Sequence, residues 1–200
     1  RIRADGPEAS RQGMYKALRI VALFSFPVGA GLALVARDAF TVFYGTSNAA
    51  GIQTMEVISI AGAITGLGFA TGDLLMAINR PGVLLRLNAV MVPLMLSSMW
   101  IVSPYGIVWV ATVHLVIQIV FVGARQLIVD HMVESPTSAA LACLVPGLVV
   151  TAGIVAFALP VRLLSDEGFL SLVAIGLAGT LGGLASLALY PPARHELTDL

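Results

Sequence analysis

The sequence predicts an all-α, polytopic membrane bundle of about six transmembrane helices, and three observations carry this prediction. Of the 200 residues, 58% are hydrophobic and only 11% are charged, and the mean hydropathy is +0.95. A typical soluble domain is about 45–50% apolar and about 25% charged, so the shortage of charge indicates a non-aqueous solvent. The apolar residues also fall into separate long runs, and these runs lack the period-2 alternation of strands.

Each apolar run is long enough to cross about 30 Å of hydrocarbon as a helix that rises about 1.5 Å per residue. A helix is favoured because it satisfies its own backbone hydrogen bonds, which lipid cannot do. The predicted spans are 17–36, 55–78, 83–103, 106–124, 139–160 and 169–190. The third and fourth are joined only by the segment 103–106, whose Pro104 and Gly106 predict a turn between antiparallel helices.

The basic residues predict the orientation of the six spans. Nine of them fall on one side and only two, Arg37 and Arg162, on the other. The nine are Arg1, Arg3, Arg11, Lys16, Arg19, Arg80, Arg86, Arg125 and Arg194. Since cytoplasmic loops carry an excess of Lys and Arg, we expect a cell inner-membrane protein with both termini cytoplasmic.

This reading divides the chain into five segments. They are a cytoplasmic loop at 1–16, a four-helix membrane bundle at 17–124, a cytoplasmic loop at 125–138, two trailing transmembrane helices at 139–190 and a cytoplasmic tail at 191–200.

Polar residues inside the spans are the candidate site. Asp73 and Arg86 flank the predicted inner turn on two antiparallel helices, so the sequence predicts an ion pair between them, because an unpaired charge in lipid is costly. The alternative is that Arg86 snorkels to the headgroups while Asp73 faces water. Glu56, at the outer end of the second span, is expected to face water.

Three further polar residues lie deeper. His114 and Gln118 are one turn apart on one helix face, and Asn88 lies in the adjoining helix. Such groups usually face the bundle interior or a water-filled cavity, where they bind a polar head group or relay a proton. The other interpretation is an interhelical hydrogen bond to a backbone carbonyl.

Small residues and prolines predict how the helices pack and bend. Glycines recur four residues apart at 62 and 66, 68 and 72, and 179 and 183, a spacing that lets helix backbones approach closely in lipid. Pro27 and Pro93 lie inside spans, where each removes one backbone hydrogen bond and favours a kink, so both are candidate conformational residues.

Several functional classes lack their motifs. The sequence contains no GxxxxGK[ST], HExxH or GxSxG pattern, and its single cysteine, Cys143, builds neither a disulfide nor a zinc site. His131 stands without a second His or Cys nearby, so we expect no metal, no cofactor and no catalytic residue. The formal net charge of zero does not indicate a nucleic-acid partner.

The order of three segments resembles a known family. PEASRQGMYKALRI contains Pro7, Ser10 and Arg11, and FSFPVGAGLALVARDAFTVFYG contains Pro27, Gly29 and Gly31 and ends in a Tyr-Gly step. LLMAINRPGVLLRLN carries a Leu-x-Ala-x-Asn-Arg turn that ends at Arg80. Together they resemble the lipid-linked oligosaccharide flippases of the multidrug/oligosaccharidyl-lipid/polysaccharide exporter superfamily, over roughly residues 7–125. The chain departs from that pattern at Ser47 and Asn48, where members often carry a tryptophan.

The resemblance implies two helical bundles that face each other across a cavity opening alternately to each side. This chain would then be most of the second, C-terminal bundle, and its partners would be the N-terminal half of the same transporter, absent from this chain, membrane lipid and a lipid-linked glycan substrate. Basic cavity residues in the family meet the pyrophosphate of the lipid carrier, a part that falls here to Arg86.

The predicted function is therefore a segment of an exporter of lipid-linked oligosaccharide or polysaccharide precursors, with no enzyme activity. Two alternatives remain open. A membrane-embedded glycan or lipid transferase would use loop carboxylates such as Asp130/Glu134 or Asp166/Glu167. A non-transporting membrane scaffold would have no use for charges at lipid depth.

Overall fold

The computed structural model describes residues 6–45, 48–165 and 168–189, and every regular element in them is helical. The helices are α1 (Gly6–Tyr44), α2 (Ala49–Ala77), α3 (Pro81–Val102), α4 (Ile107–Met132), α5 (Thr137–Ala142), α6 (Val145–Leu164) and α7 (Phe169–Leu189). A short 3₁₀ turn, Ser103–Tyr105, joins α3 to α4. Within these ranges six spans are long and apolar enough to cross a membrane, with α5 and α6 together forming the fifth. The prediction of an all-α polytopic membrane bundle is confirmed.

Successive spans run in opposite directions, which gives the bundle two ends. We call the end with the α2–α3 turn the Arg80 side and the end with the 3₁₀ turn the Tyr105 side. On the Arg80 side, Met14 of α1 packs in one cluster with Leu74 of α2 and Val129 of α4. The predicted positions of both turns agree with the structure.

The helices differ from the predicted boundaries. α1 ends at Tyr44 rather than at 36, and α2 begins at Ala49 rather than at 55. α1 begins at Gly6, so most of the predicted loop 1–16 is helical, and α4 continues to Met132, well into the predicted loop 125–138. Hydropathy detects only the apolar part of a helix, whereas the backbone hydrogen bonds continue through the more polar residues beyond it. The fifth span is broken at residues 143–144, next to Pro146 in the first turn of α6. The predicted tail 191–200 lies outside the described residues.

The helices do not divide into a four-helix bundle and a trailing pair. α1 lies between the two groups: it packs against α2 on one side and against both α6 and α7 on the other. α4 packs on α2, and α3 contacts mainly α4. No residue of α3 is fully buried, so this helix is the most peripheral of the six spans.

Glycines allow the closest backbone approaches. A Cβ at Gly29 would lie 2.7 Å from the Cβ of Ala63 in α2, and a Cβ at Gly147 of α6 would collide with the carbonyl group of Ala22 in α1. Of the predicted glycine pairs, Gly179 and Gly183 both face Ile154 of α6. Close packing without large side chains stabilises helix association in lipid, where the hydrophobic effect between helices is lost.

The α2–α3 turn is built by its own residues. Asn79 has φ +60, in the left-handed region that asparagine tolerates better than most residues. The N–H of Arg80 then donates to the carbonyl of Leu75 at 2.8 Å, which closes α2, and Pro81 opens α3 in a position where it needs no donor.

Candidate functional site

A cleft lined by several polar side chains among apolar ones lies between α2, α3 and α4 on the Arg80 side of the bundle, and we call it the α2–α4 cleft. Its volume is about 340 Å³. The lining residues are Thr65, Gly68, Phe69, Gly72, Asp73 and Met76 of α2, Leu84, Asn88 and Met91 of α3, and Gln118, Val122 and Arg125 of α4. It brings together three of the predicted candidates, Asp73, Asn88 and Gln118. Arg125, which was not among the candidates, also lines it.

Arg125 is the best-anchored polar group of the cleft. Its Nη1 donates to the carbonyl oxygen of Gly68 at 2.8 Å, and its Nη2 lies 3.5 Å from the Oδ1 of Asn88. The Gly68 carbonyl also accepts a hydrogen bond from the hydroxyl of the buried Thr71 at 3.1 Å. The guanidinium of α4 is therefore held against the backbone of α2 and near the side chain of α3.

The glycines of α2 make room for this guanidinium. A Cβ at Gly68 would lie 3.3 Å from Arg125 Nη1 and 3.1 Å from Val122, and a Cβ at Gly72 would lie 3.7 Å from the same nitrogen. The predicted pair at 68 and 72 thus admits a side chain from α4, and this approach leaves the Gly68 carbonyl accessible for hydrogen bonding. Any larger side chain at 68 would crowd the Arg125 contact.

The charge of Arg125 has no carboxylate partner within the described part of the chain. Its Nε is buried and makes no hydrogen bond there. Among the described lining residues, the other charged group is Asp73, which is exposed and forms no ion pair with Arg125. A guanidinium that is hydrogen-bonded only to neutral oxygens in an apolar bundle favours the binding of an anion, since desolvating an unpaired ion costs several kcal/mol.

The predicted ion pair between Asp73 and Arg86 does not form in the structure. Arg86 is exposed and does not line the cleft, whereas Asn88, two residues later, does. Two residues turn a helix by about 200°, so Arg86 and Asn88 point to nearly opposite faces of α3. The alternative, in which Arg86 snorkels to the headgroups while Asp73 faces water, is consistent with the observed exposure of both side chains.

His114 lies one helical turn beyond Gln118, toward the Tyr105 side, and it does not line the cleft. Its Nδ1 is buried and makes no hydrogen bond to any described residue, whereas Gln118 itself is 8% exposed at the cleft wall. The common face predicted for the two residues agrees with their positions on α4. A proton relay would need a partner for His114, and the described residues provide none.

The two candidate conformational prolines lie away from the cleft. Pro27 lies inside α1 and lines a small apolar cavity between α1, α6 and α7. Pro93 lies on an exposed part of α3, where its carbonyl accepts a hydrogen bond from the hydroxyl of Ser97 at 2.7 Å. Both helices continue through their prolines, so a conformational part for them stays a prediction.

Sequence reasoning missed Arg125 because it assigned this residue to the loop after the fourth span. α4 extends past it, and Arg125 therefore lies in the membrane-spanning range Ile107–Met132. The signal was present: Arg125 follows Gln118 by seven residues, close to two full turns, which puts both on one helix face.

Two polar contacts on the Tyr105 side were also missed. Glu56 was expected to face water, but its Oε1 lies 2.5 Å from Nη2 of Arg162, which ties α2 to α6. Asp38 of α1 is only 2% exposed, and its Oδ1 accepts a hydrogen bond from the N–H of Gly168 at 3.2 Å, just before α7. The end of the bundle opposite the α2–α4 cleft is therefore held by charged groups.

A second, larger cleft lies between α1 and α2 toward the Tyr105 side. Its volume is about 750 Å³, and most of its lining is apolar, including Val28, Leu32, Met55 and Ile58. It shares no lining residue with the α2–α4 cleft. The polar groups named above as candidates all lie outside it.

The described residues contain no group of three or more His, Cys, Asp or Glu side chains that could hold a metal ion. Of the loop carboxylates considered for a transferase, Asp130 is 2% exposed within α4, and Asp166 and Glu167 lie outside the described ranges. Comparisons with family models, with curated proteins and with solved structures gave no match to this chain.

Proposed function

We propose that this chain is part of a membrane transporter that moves lipid-linked oligosaccharide or polysaccharide precursors across the cytoplasmic membrane by alternating access. The observation that supports the proposal is the α2–α4 cleft, in which the half-buried guanidinium of Arg125 and the buried amide of Gln118 lie beside the exposed side chains of Asn88 and Asp73. A lipid-linked glycan needs such a place, because its polar head group must be sheltered from hydrocarbon while its lipid tail stays in the bilayer.

The guanidinium in the cleft is suited to the pyrophosphate of the lipid carrier that the family resemblance implies. Arg125, rather than Arg86, is the basic residue within a span that lines a cleft, and a guanidinium binds phosphate oxygens through paired, charge-assisted hydrogen bonds. The excess of basic residues on the Arg80 side makes that side cytoplasmic in this proposal. The head group would then enter from the leaflet in which such precursors are assembled.

The transferase alternative gains nothing from the described residues. Asp130 is buried, with its Oδ1 bonded to Gln126 at 2.8 Å, so it does not present a carboxylate to a substrate at the membrane face. The scaffold alternative leaves the recessed guanidinium unexplained. Neither is favoured by a specific contact.

A leaflet-accessibility assay tests the proposal. Proteoliposomes holding the intact protein and a lipid-linked glycan are treated with a membrane-impermeant glycosidase, and the rate at which protected glycan becomes accessible is measured. Arg125→Gln is expected to lower this rate by about tenfold or more, because it removes a charged hydrogen-bonding group from a recessed site.

Arg86→Gln is the matched control, since it removes the same charge from an exposed position outside the cleft. It is expected to leave the rate within about twofold of wild type. Equal rates in wild type and Arg125→Gln would contradict the proposal, as would covalent change of the glycan in the absence of other enzymes.

A further inference from the structure

The α2–α4 cleft contains both a cation and an anion that are not joined to each other. Arg125 is held in place by the Gly68 carbonyl and by Asn88, both of which are neutral. Asp73 follows Gly72, and a Cβ at Gly72 would be 3.7 Å from Arg125 Nη1. Asp73 itself lines the cleft, and its carboxylate is not among the groups that hydrogen-bond the guanidinium.

This arrangement differs from a structural ion pair. In a structural pair the carboxylate would hold the arginine in place. Removal of the carboxylate would then leave the half-buried guanidinium without any partner, at a cost of several kcal/mol. Here the hydrogen bonds that Arg125 donates to the Gly68 carbonyl and to Asn88 Oδ1 do not involve Asp73, so they remain when Asp73 is neutralised. The effect of Asp73 on Arg125 is then mainly electrostatic, exerted across the cleft.

We propose that Asp73 is a built-in competitor for anions at Arg125, a fixed negative charge that weakens anion binding and so favours release. With Asp73 ionised, the two charges of the cleft cancel, and a phosphate group meets attraction from Arg125 and repulsion from Asp73. A transport site must release what it binds, because very tight binding in one state slows the next step. Asp73, which limits the affinity for an anion, is thus as much a part of the site as Arg125, which binds the anion.

The inference rests on the proposed function for the phosphate character of the ligand, and a binding experiment separates the two. The intact protein is placed in nanodiscs of phosphatidylcholine, which carry no net charge, and equilibrium binding of radiolabelled inorganic pyrophosphate is measured. A parallel series with added phosphatidylglycerol, followed by native mass spectrometry, reports whether a lipid phosphate occupies the same site.

Neutralising the competitor is expected to tighten binding. Asp73→Asn should bind the probe about two- to fivefold more tightly than wild type, the range that removal of a solvent-exposed charge supports. Asp73→Glu keeps the charge and should retain wild-type affinity, whereas Arg125→Gln should weaken binding by about tenfold or more. Arg86→Gln controls for the overall charge of the protein and should have no effect.

Each outcome decides the inference. Unchanged or weaker binding by Asp73→Asn overturns it, and so does the same gain in Asp73→Glu, which would make the effect steric. Absence of probe and phosphatidylglycerol binding in both wild type and Asp73→Asn also overturns it. If probe binding follows the expected order while wild type and Arg125→Gln give equal glycan accessibility rates, the result supports the role of Asp73 as a competitor and contradicts the proposed transport function.

Discussion

Substituting Gly147 by alanine is the most direct test of how the α6–α7 hairpin docks on α1. A Cβ at Gly147 would collide with the carbonyl oxygen of Ala22, and it would lie 2.7 Å from the carbonyl carbon of Ala22 and 3.1 Å from the amide nitrogen of Leu23. All three atoms belong to the backbone of α1, so no side-chain rotation can relieve the contact.

The distances set the size of the effect. The distance to the carbonyl carbon is about 0.7 Å less than an ordinary van der Waals contact, so α6 and α1 must move apart by a similar amount. A gap of that size loses about a quarter to a half of the dispersion energy across it. Overpacking of this kind costs about 1–3 kcal/mol. Gly147→Ala should therefore lower the midpoint of thermal unfolding by several degrees.

The assay is thermal unfolding of the detergent-solubilised protein, followed by the loss of its monodisperse peak in size-exclusion chromatography. Gly31→Ala in α1 is the matched control, because nothing lies within 4 Å of a Cβ there. Alanine is a better helix former than glycine, so this control should gain about 0.5–1 kcal/mol. A Gly147→Ala protein as stable as the Gly31→Ala protein would refute the close contact between α1 and α6.

Two further predictions concern charged groups at the ends of the bundle. Glu56 and Arg162 are 31% and 22% exposed, so their coupling energy in a double-mutant cycle should be about 0.5–1 kcal/mol. Glu56→Arg combined with Arg162→Glu should recover most of the thermal stability that either single change loses. A double variant no more stable than the single variants would contradict the contact. At the start of α1, hydrogen bonds from the Arg11 guanidinium and, to a lesser extent, from Gln12 hold the pKa of the Glu8 carboxyl below its usual 4.5. The stabilisation by the Arg11–Glu8 pair is therefore present above the usual pKa and is lost as the pH falls through the lowered pKa of Glu8. NMR titration should find the Glu8 pKa closer to the usual value in Arg11→Gln, and an unchanged pKa would contradict the pair.

The overall architecture could be predicted from the sequence because it depends on the solvent. Long apolar runs without charge require lipid, and lipid requires helices that satisfy their own backbone. The same argument located both tight turns, where Pro81, Pro104 and Gly106 interrupt the helical pattern. It could not find the more polar ends of α1 and α4, since hydropathy measures which residues are apolar and not where the hydrogen bonds of a helix stop.

The candidate site was predicted in part. Asp73, Asn88 and Gln118 were chosen because polar groups at lipid depth face something polar, and all three line one cleft. Arg86 was chosen for its depth alone, and depth does not say which way a side chain points. Arg125 was excluded because the predicted span ended at residue 124, eight residues before the end of α4 at Met132.

By itself the sequence determined that this protein is an all-α, multi-pass membrane protein, because composition and run length decide which solvent a segment can tolerate. Only the tertiary structure decided that Arg125 rather than Arg86 joins Asp73 in a cleft, and that α1 lies between α2 and the α6–α7 hairpin. The physical reason is that burial in lipid constrains every span alike. Which spans touch, and through which face, depends on glycines that admit a neighbouring helix and on single hydrogen bonds between helices. The four-residue spacing of glycines marks a packing face but does not say which helix packs there.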